Sequence, residues 1–318
     1  MYSVPCVRSS SAEASILAAL ANLLFISAVG ACLAGCATSG QLNAAAAFAT
    51  SASTLGQGVK TAYTQAAQTE ANLRTATYIV SKNASDITQY KYTTPLFGIS
   101  PKDIPGRYAA ANALTAYGQA LTTLLDSKTQ ETNLATASGN FTAALKGIPA
   151  TTLSQLRISS ADITDVGNLI TSLGDIYLDF RREQVLQQLV PKAAPIVNKL
   201  CSLFAQDFDT RSPMFGTIYS NAVNDVIWKT EDALTANAAS LADRAILLPI
   251  YQQTASTRDQ MVASFKSLNA AANSCVKTNT AFAKSVSDPT LSLTDILDFT
   301  AKAQAAYSAV MAAVAASK

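Results

Sequence analysis

The chain has 318 residues, of which only 14% are charged, and its formal net charge is +2. It contains no histidine, which removes Ser-His-Asp and Cys-His nucleophile systems and every imidazole-ligated metal site. Its Lys and Arg residues are scattered rather than clustered, so no basic run is available to neutralise phosphates, and nucleic acid is not an expected partner.

The first element is an apolar run from Ser15 to Val29. At about fifteen residues it has the length of a signal-peptide core and falls short of the ~20 residues that span a bilayer. It leads into Leu33-Ala34-Gly35-Cys36, after which the chain turns to Ala, Thr, Ser, Gly and Gln. This segment resembles the signal of bacterial lipoproteins, whose lipobox ends in a cysteine that is diacylated and becomes the first residue after cleavage. The leading part departs from the family pattern, because Arg8 is its one basic residue and Glu13 partly offsets it. The resemblance implies a removed signal over 1–35, a lipid on Cys36 and a short tether over 36–41. It also implies a place in the cell envelope, with the membrane itself as a partner, since two or more acyl chains anchor a protein stably. Enterobacterial lipoproteins with aspartate after the cysteine stay in the inner membrane. Ala37 therefore implies the outer membrane, facing the periplasm.

From residue 42 to 318 the pattern predicts a single all-α domain, an elongated up-and-down bundle of about six long, partly kinked helices. The first spans about Leu42 to Lys82, with Leu55, Val59, Ala62, Ala66, Leu73, Ala76 and Val80 alternating by four and three around Thr69, a coiled-coil-like seam. Asn83 to Gly106 breaks the pattern with prolines and glycines. A second helix is expected from Pro105 through Tyr108, Leu114, Leu121 and Phe141 to Leu145. A third starts at Ser160 with Ile163, Val166, Ile170, Leu173, Tyr177 and Phe180, and Pro191 and Pro195 should kink or interrupt it. Ser212-Pro213 marks the start of the fourth, a capping serine followed by proline at the first helical position. Pro249 marks a kink or tight turn into the fifth, and the last begins at Ser292, whose spacing to Asp295 is a capping-box pattern.

Two cysteines, Cys201 and Cys275, remain once the signal and Cys36 are set aside. In an oxidising compartment an even pair reads as a disulfide. If the segment ending at Phe208 runs up, the fourth helix down and the fifth up, both cysteines fall at one level on parallel helices. The same alternation carries Tyr90, Tyr92, Phe97, Phe204, Phe208, Phe215 and Tyr219 to the end away from the membrane. Aromatic side chains on irregular backbone suit a recognition surface, and they equally suit a plug over the helix ends. Among them Tyr90, Tyr92, Phe97, Phe208 and Phe215 are the candidate contacts for another envelope protein.

The cluster Asp179, Arg181, Arg182 and Glu183 reads as a solvated helix face. Asp207 with Asp209, Asp295 with Asp298, and Glu231 with Asp232 are close in sequence, but none sits in a hydrolase motif, and carboxylates near helix ends are expected from capping and the helix dipole. The expectation is thus a non-enzyme with no catalytic residue, metal or cofactor: an interaction or scaffold subunit anchored by lipid. The alternative is a carrier or sensor of an apolar, lipid-like small ligand held within the bundle.

Overall fold

In a computed structural model the described residues are 39–81, 99, 103–126, 131–173, 182–211, 215–235, 240–286 and 294–316. Residues 1–40 separate from the rest as one unit, and residues 41–318 form the other, which holds the fold. Among the described residues there are nine helices and no strand, so the chain is all-α. They are α1 Ser39–Ser81, α2 Ile104–Leu125, α3 Glu131–Lys146, α4 Ala150–Leu156, α5 Ser160–Leu173, α6 Arg182–Asp207, α7 Phe215–Thr235, α8 Leu241–Ser285 and α9 Thr294–Ala316.

The two longest, α1 with 43 residues and α8 with 45, run antiparallel as the axis of the bundle. Asn72 of α1 donates to Gln253 of α8 at 2.8 Å, and Phe48 stacks on Phe282 at 5.0 Å. The seam expected on α1 is the one that faces inward, since Leu55, Val59, Ala62, Ala66, Leu73 and Ala76 are all buried. Thr69, its polar member, is buried too and donates to the Gln65 carbonyl. On α9, Ile296, Phe299, Ala303, Ala306, Val310 and Ala313 step by three and four and close the lower half of the bundle against α8 and α1. This helix runs parallel to α1, with Ser51 donating to Thr300 at 2.9 Å.

α2 crosses α1 at very short range. A methyl on Gly118 would meet the Ala49 carbonyl at 2.4 Å, and one on Gly56 would meet the Ala111 carbonyl at 2.7 Å. Only glycine lets backbone lie on backbone here.

Four expectations are corrected. The second helix is two: Asp126 takes an extended conformation, and α3 then folds back on α2 with Phe141 against Tyr117. α6 is continuous through Pro191 and Pro195, and α8 is continuous through Pro249. Pro195 and Pro249 lie on exposed faces, where water can solvate the carbonyls that a proline leaves unpaired. The chain does not turn at Pro249, which lies inside α8; that helix begins at Leu241 and is capped by Ser240, whose hydroxyl accepts from the Asp243 amide while the Asp243 carboxylate accepts from the Ser240 amide.

The fourth correction is one of direction. α8 pairs with α7 through Arg258 and Asn224, then with α6 through Asn269 and the Ala205 carbonyl, Cys275 and Cys201, and Asn279 and Asn198. Residue numbers fall on one helix as they rise on the other, so α6 and α8 are antiparallel and not parallel. α6 and α7 therefore follow one another along a single long partner instead of folding up and down.

Candidate functional site

Cys201 and Cys275 form the expected disulfide, fully buried, with Cα atoms 6.1 Å apart. It ties α6 to the lower half of α8. The amide of Asn279 bridges the Ala194 carbonyl and the Asn198 side chain nearby, at 3.0 and 2.9 Å.

Phe208 does not belong to a recognition surface. Its ring is fully buried, 5.2 Å from Tyr63 and 5.4 Å from Phe265. Phe204 and Tyr219 are buried as well, Tyr219 edge-on to Phe265. α6 ends at Asp207, and the stem of the following turn drops its aromatic side chain into the core, as a plug would. Tyr90, Tyr92 and Phe97 lie outside the described residues, as do Asp179 and Arg181. Phe215 opens α7, but its side chain lies outside them too, like those of Arg182 and Glu183.

What the end of the fold does expose is a different set. Tyr78 in the last turn of α1, Trp228 on α7, and Leu241, Ile246 and Leu248 at the start of α8 are all exposed large apolar residues. Trp228 retains 75% and Leu241 87% of their free surface. All five fall at the end of the bundle where α1 and α7 finish and α8 begins. Trp228 is the one tryptophan of the chain, and it stands off the buried stripe of Tyr219, Val223, Ile227 and Thr230 on the same helix. The sequence carried a cue to this: its neighbours at three and four positions, Asn224, Asp225, Glu231 and Asp232, are all polar, so its side of the helix is a solvent side.

A second assembly of polar groups lies where four helices meet. Asp207, the last residue of α6, is buried and accepts from the Tyr63 hydroxyl of α1 at 2.5 Å and from Arg107 Nε of α2 at 3.1 Å. Arg107 Nη1 donates to Gln155 of α4 at 3.0 Å. Burial pushes the Asp207 carboxyl above its ordinary range while Arg107 and Tyr63 hold it down, and burial beside that carboxylate raises the Tyr63 phenol well above its own. The group borders a cavity of about 500 Å³, whose other walls include Asp103, Lys199, Ser202 and Gln206. The Tyr63 hydroxyl and Arg107 Nε both donate to Asp207, while Arg107 Nη1 reaches Gln155, so the arrangement brackets the helices. No group of three or more Cys, Asp or Glu residues suited to hold a metal occurs among the described residues. Polar side chains outnumber apolar ones in the linings of three cavities among the described residues.

No helix among the described residues is long and apolar enough to cross a membrane. No protein-family model matches the chain, and no curated protein and no solved structure matches it either.

Proposed function

We propose that this is a lipid-anchored protein of the bacterial cell envelope that acts as a non-catalytic docking subunit through the far end of its bundle. The observation that carries this reading is that five of the eight exposed large apolar side chains among the described residues, Tyr78, Trp228, Leu241, Ile246 and Leu248, fall at the end opposite the start of α1. Cys36 precedes Ser39 by three residues in the sequence, so a lipid there tethers the bundle by the other end. Large apolar groups left in water cost free energy that burial in an interface recovers, and Trp and Tyr anchors do so at little conformational cost. α1, at about 1.5 Å per residue, holds the two ends roughly 60 Å apart. The buried disulfide suits an oxidising compartment outside the cytoplasm.

Two measurements test it. Cys36→Ser should move the protein from the membrane fraction to the soluble fraction, and a variant that stays with membranes would remove the anchor from the proposal. A photo-crosslinking residue at Leu241 should then trap one defined envelope protein in intact cells, whereas the same probe at exposed Ala301 on α9 should trap none. Equal labelling from both positions would leave the distal end without a special role.

A further inference from the structure

We infer that the exposed face of α7 around Trp228 takes a cationic segment of the partner protein, a stretch bearing exposed Arg or Lys. This deepens the distal-docking reading and rests on it. Trp228 presents its ring to solvent, and the flat face of an indole attracts a guanidinium or ammonium. On the same side of the helix Asp225 lies three positions before it, and Glu231 and Asp232 lie three and four positions after it. Lys229 balances Asp225 at 2.6 Å. Glu231 and Asp232 are exposed, and neither has an ion-pair partner among the described residues. Of the two arginines on α8 near this end, Arg244 and Arg258, the second is committed to Asp259 and to the Asn224 amide.

The placement of the two carboxylates is what separates this face from an ordinary solvated one. Glu231 and Asp232 stand in the last five residues of α7, which has no basic residue in its last turn. Helix C-termini carry a partial negative charge from their unpaired carbonyls, so carboxylates there work against the helix. Carboxylates of the expected kind cap N-termini, as Asp162 does at Ser159 and Asp243 at Ser240. The end of α7 instead sums two carboxylates with its own carbonyl ends beside an open indole. That combination has a negative potential and an aromatic platform, the complement of an Arg-bearing or Lys-bearing surface.

The sole tryptophan makes the site its own reporter. Full-length protein in detergent, with its lipid in place, is titrated with hexaarginine while Trp228 emission is followed. A saturable change is expected, weakened about tenfold by Glu231→Gln with Asp232→Asn and by raising the salt concentration. Hexaglutamine should leave the emission unchanged. An unsaturable response, an equal response from hexaglutamine, or undiminished binding by the double variant would overturn the inference. So would a blue shift with phosphatidylcholine vesicles and none with hexaarginine, which would assign the face to a lipid surface. Crosslinking from Leu241 separates the two readings: a partner retained by the double variant but lost in Trp228→Ala keeps distal docking and removes the cationic segment, and a partner kept by both removes this face altogether.

Discussion

Asp207 is the point at which α1, α2 and α6 share one carboxylate. Its neighbours oppose its burial: the environment raises its pKa, and the Arg107 guanidinium and Tyr63 hydroxyl restrain the rise. Arg107→Gln should therefore leave a buried carboxylate without its cation and cost about 3–5 kcal/mol at neutral pH. The pH dependence has a definite sign. A carboxyl whose folded-state pKa lies above its unfolded value contributes stability below the unfolded value and loses it as pH rises through the folded one. The deficit of Arg107→Gln relative to the unaltered chain should shrink as pH falls toward the ordinary 3.8, as read by urea unfolding at pH 7 and pH 4.5. An equal deficit at both would mean that Asp207 is not the group left exposed to burial. At this scale the sequence was least legible. Asp207 was visible only as a carboxylate near Asp209, since its partners Arg107 and Tyr63 lie 100 and 144 residues away.

At the scale of the helices, periodicity was readable and turns were not. α8 has buried residues at Leu247, Ile250, Thr254, Thr257, Met261, Ser264, Leu268, Ala271, Cys275, Thr278, Phe282 and Ser285, stepping by three and four without a slip. That stripe crosses Pro249 unbroken, and its continuity outweighs the proline. Several of its members are Thr or Ser, so a reading keyed to apolar residues saw a break where the packing has none. The α1 seam, richer in Leu, Val and Ala, was legible almost residue by residue. Two glycines test the packing argument directly. Gly118→Ala should destabilise despite the roughly 1 kcal/mol that alanine gains in a helix, because the Ala49 carbonyl and Ser53 amide occupy the space. Gly139→Ala on α3 meets nothing within 4 Å and should stabilise by up to about 1 kcal/mol. Thermal midpoints that move the same way for both would refute the close α1–α2 approach.

For the molecule as a whole, one covalent bond sets which parts open together. The Cys201–Cys275 disulfide closes a loop with a sequence separation of 74, and that loop includes all of α7 and α8 from Leu241 to Cys275. In the chain-entropy account a loop of this length stabilises by about 4 kcal/mol. Removing the bond as Cys201→Ala with Cys275→Ala should lower the denaturant midpoint accordingly. No change would imply that the pair is reduced in the native protein. The spacing argument placed the two cysteines together correctly while assigning their helices the wrong relative direction. A disulfide fixes a meeting point and not an orientation, and the amide contacts on either side of it supply the missing sign.

The pairing of α1 with α9 also has a consequence in time. Ser51 and Thr300 are 249 positions apart, and Phe48 packs against Phe299. Among the described helices, the first to be synthesised is thus completed by the last. At 5–20 residues per second, α1 waits roughly 10–50 s for that partner. Through that interval Phe48 and the residues around Gly58 have no α9 to cover them. Any nascent chain stalled before Thr294 offers a long, half-closed apolar groove to chaperones and proteases. Arrival of α9 ends that window.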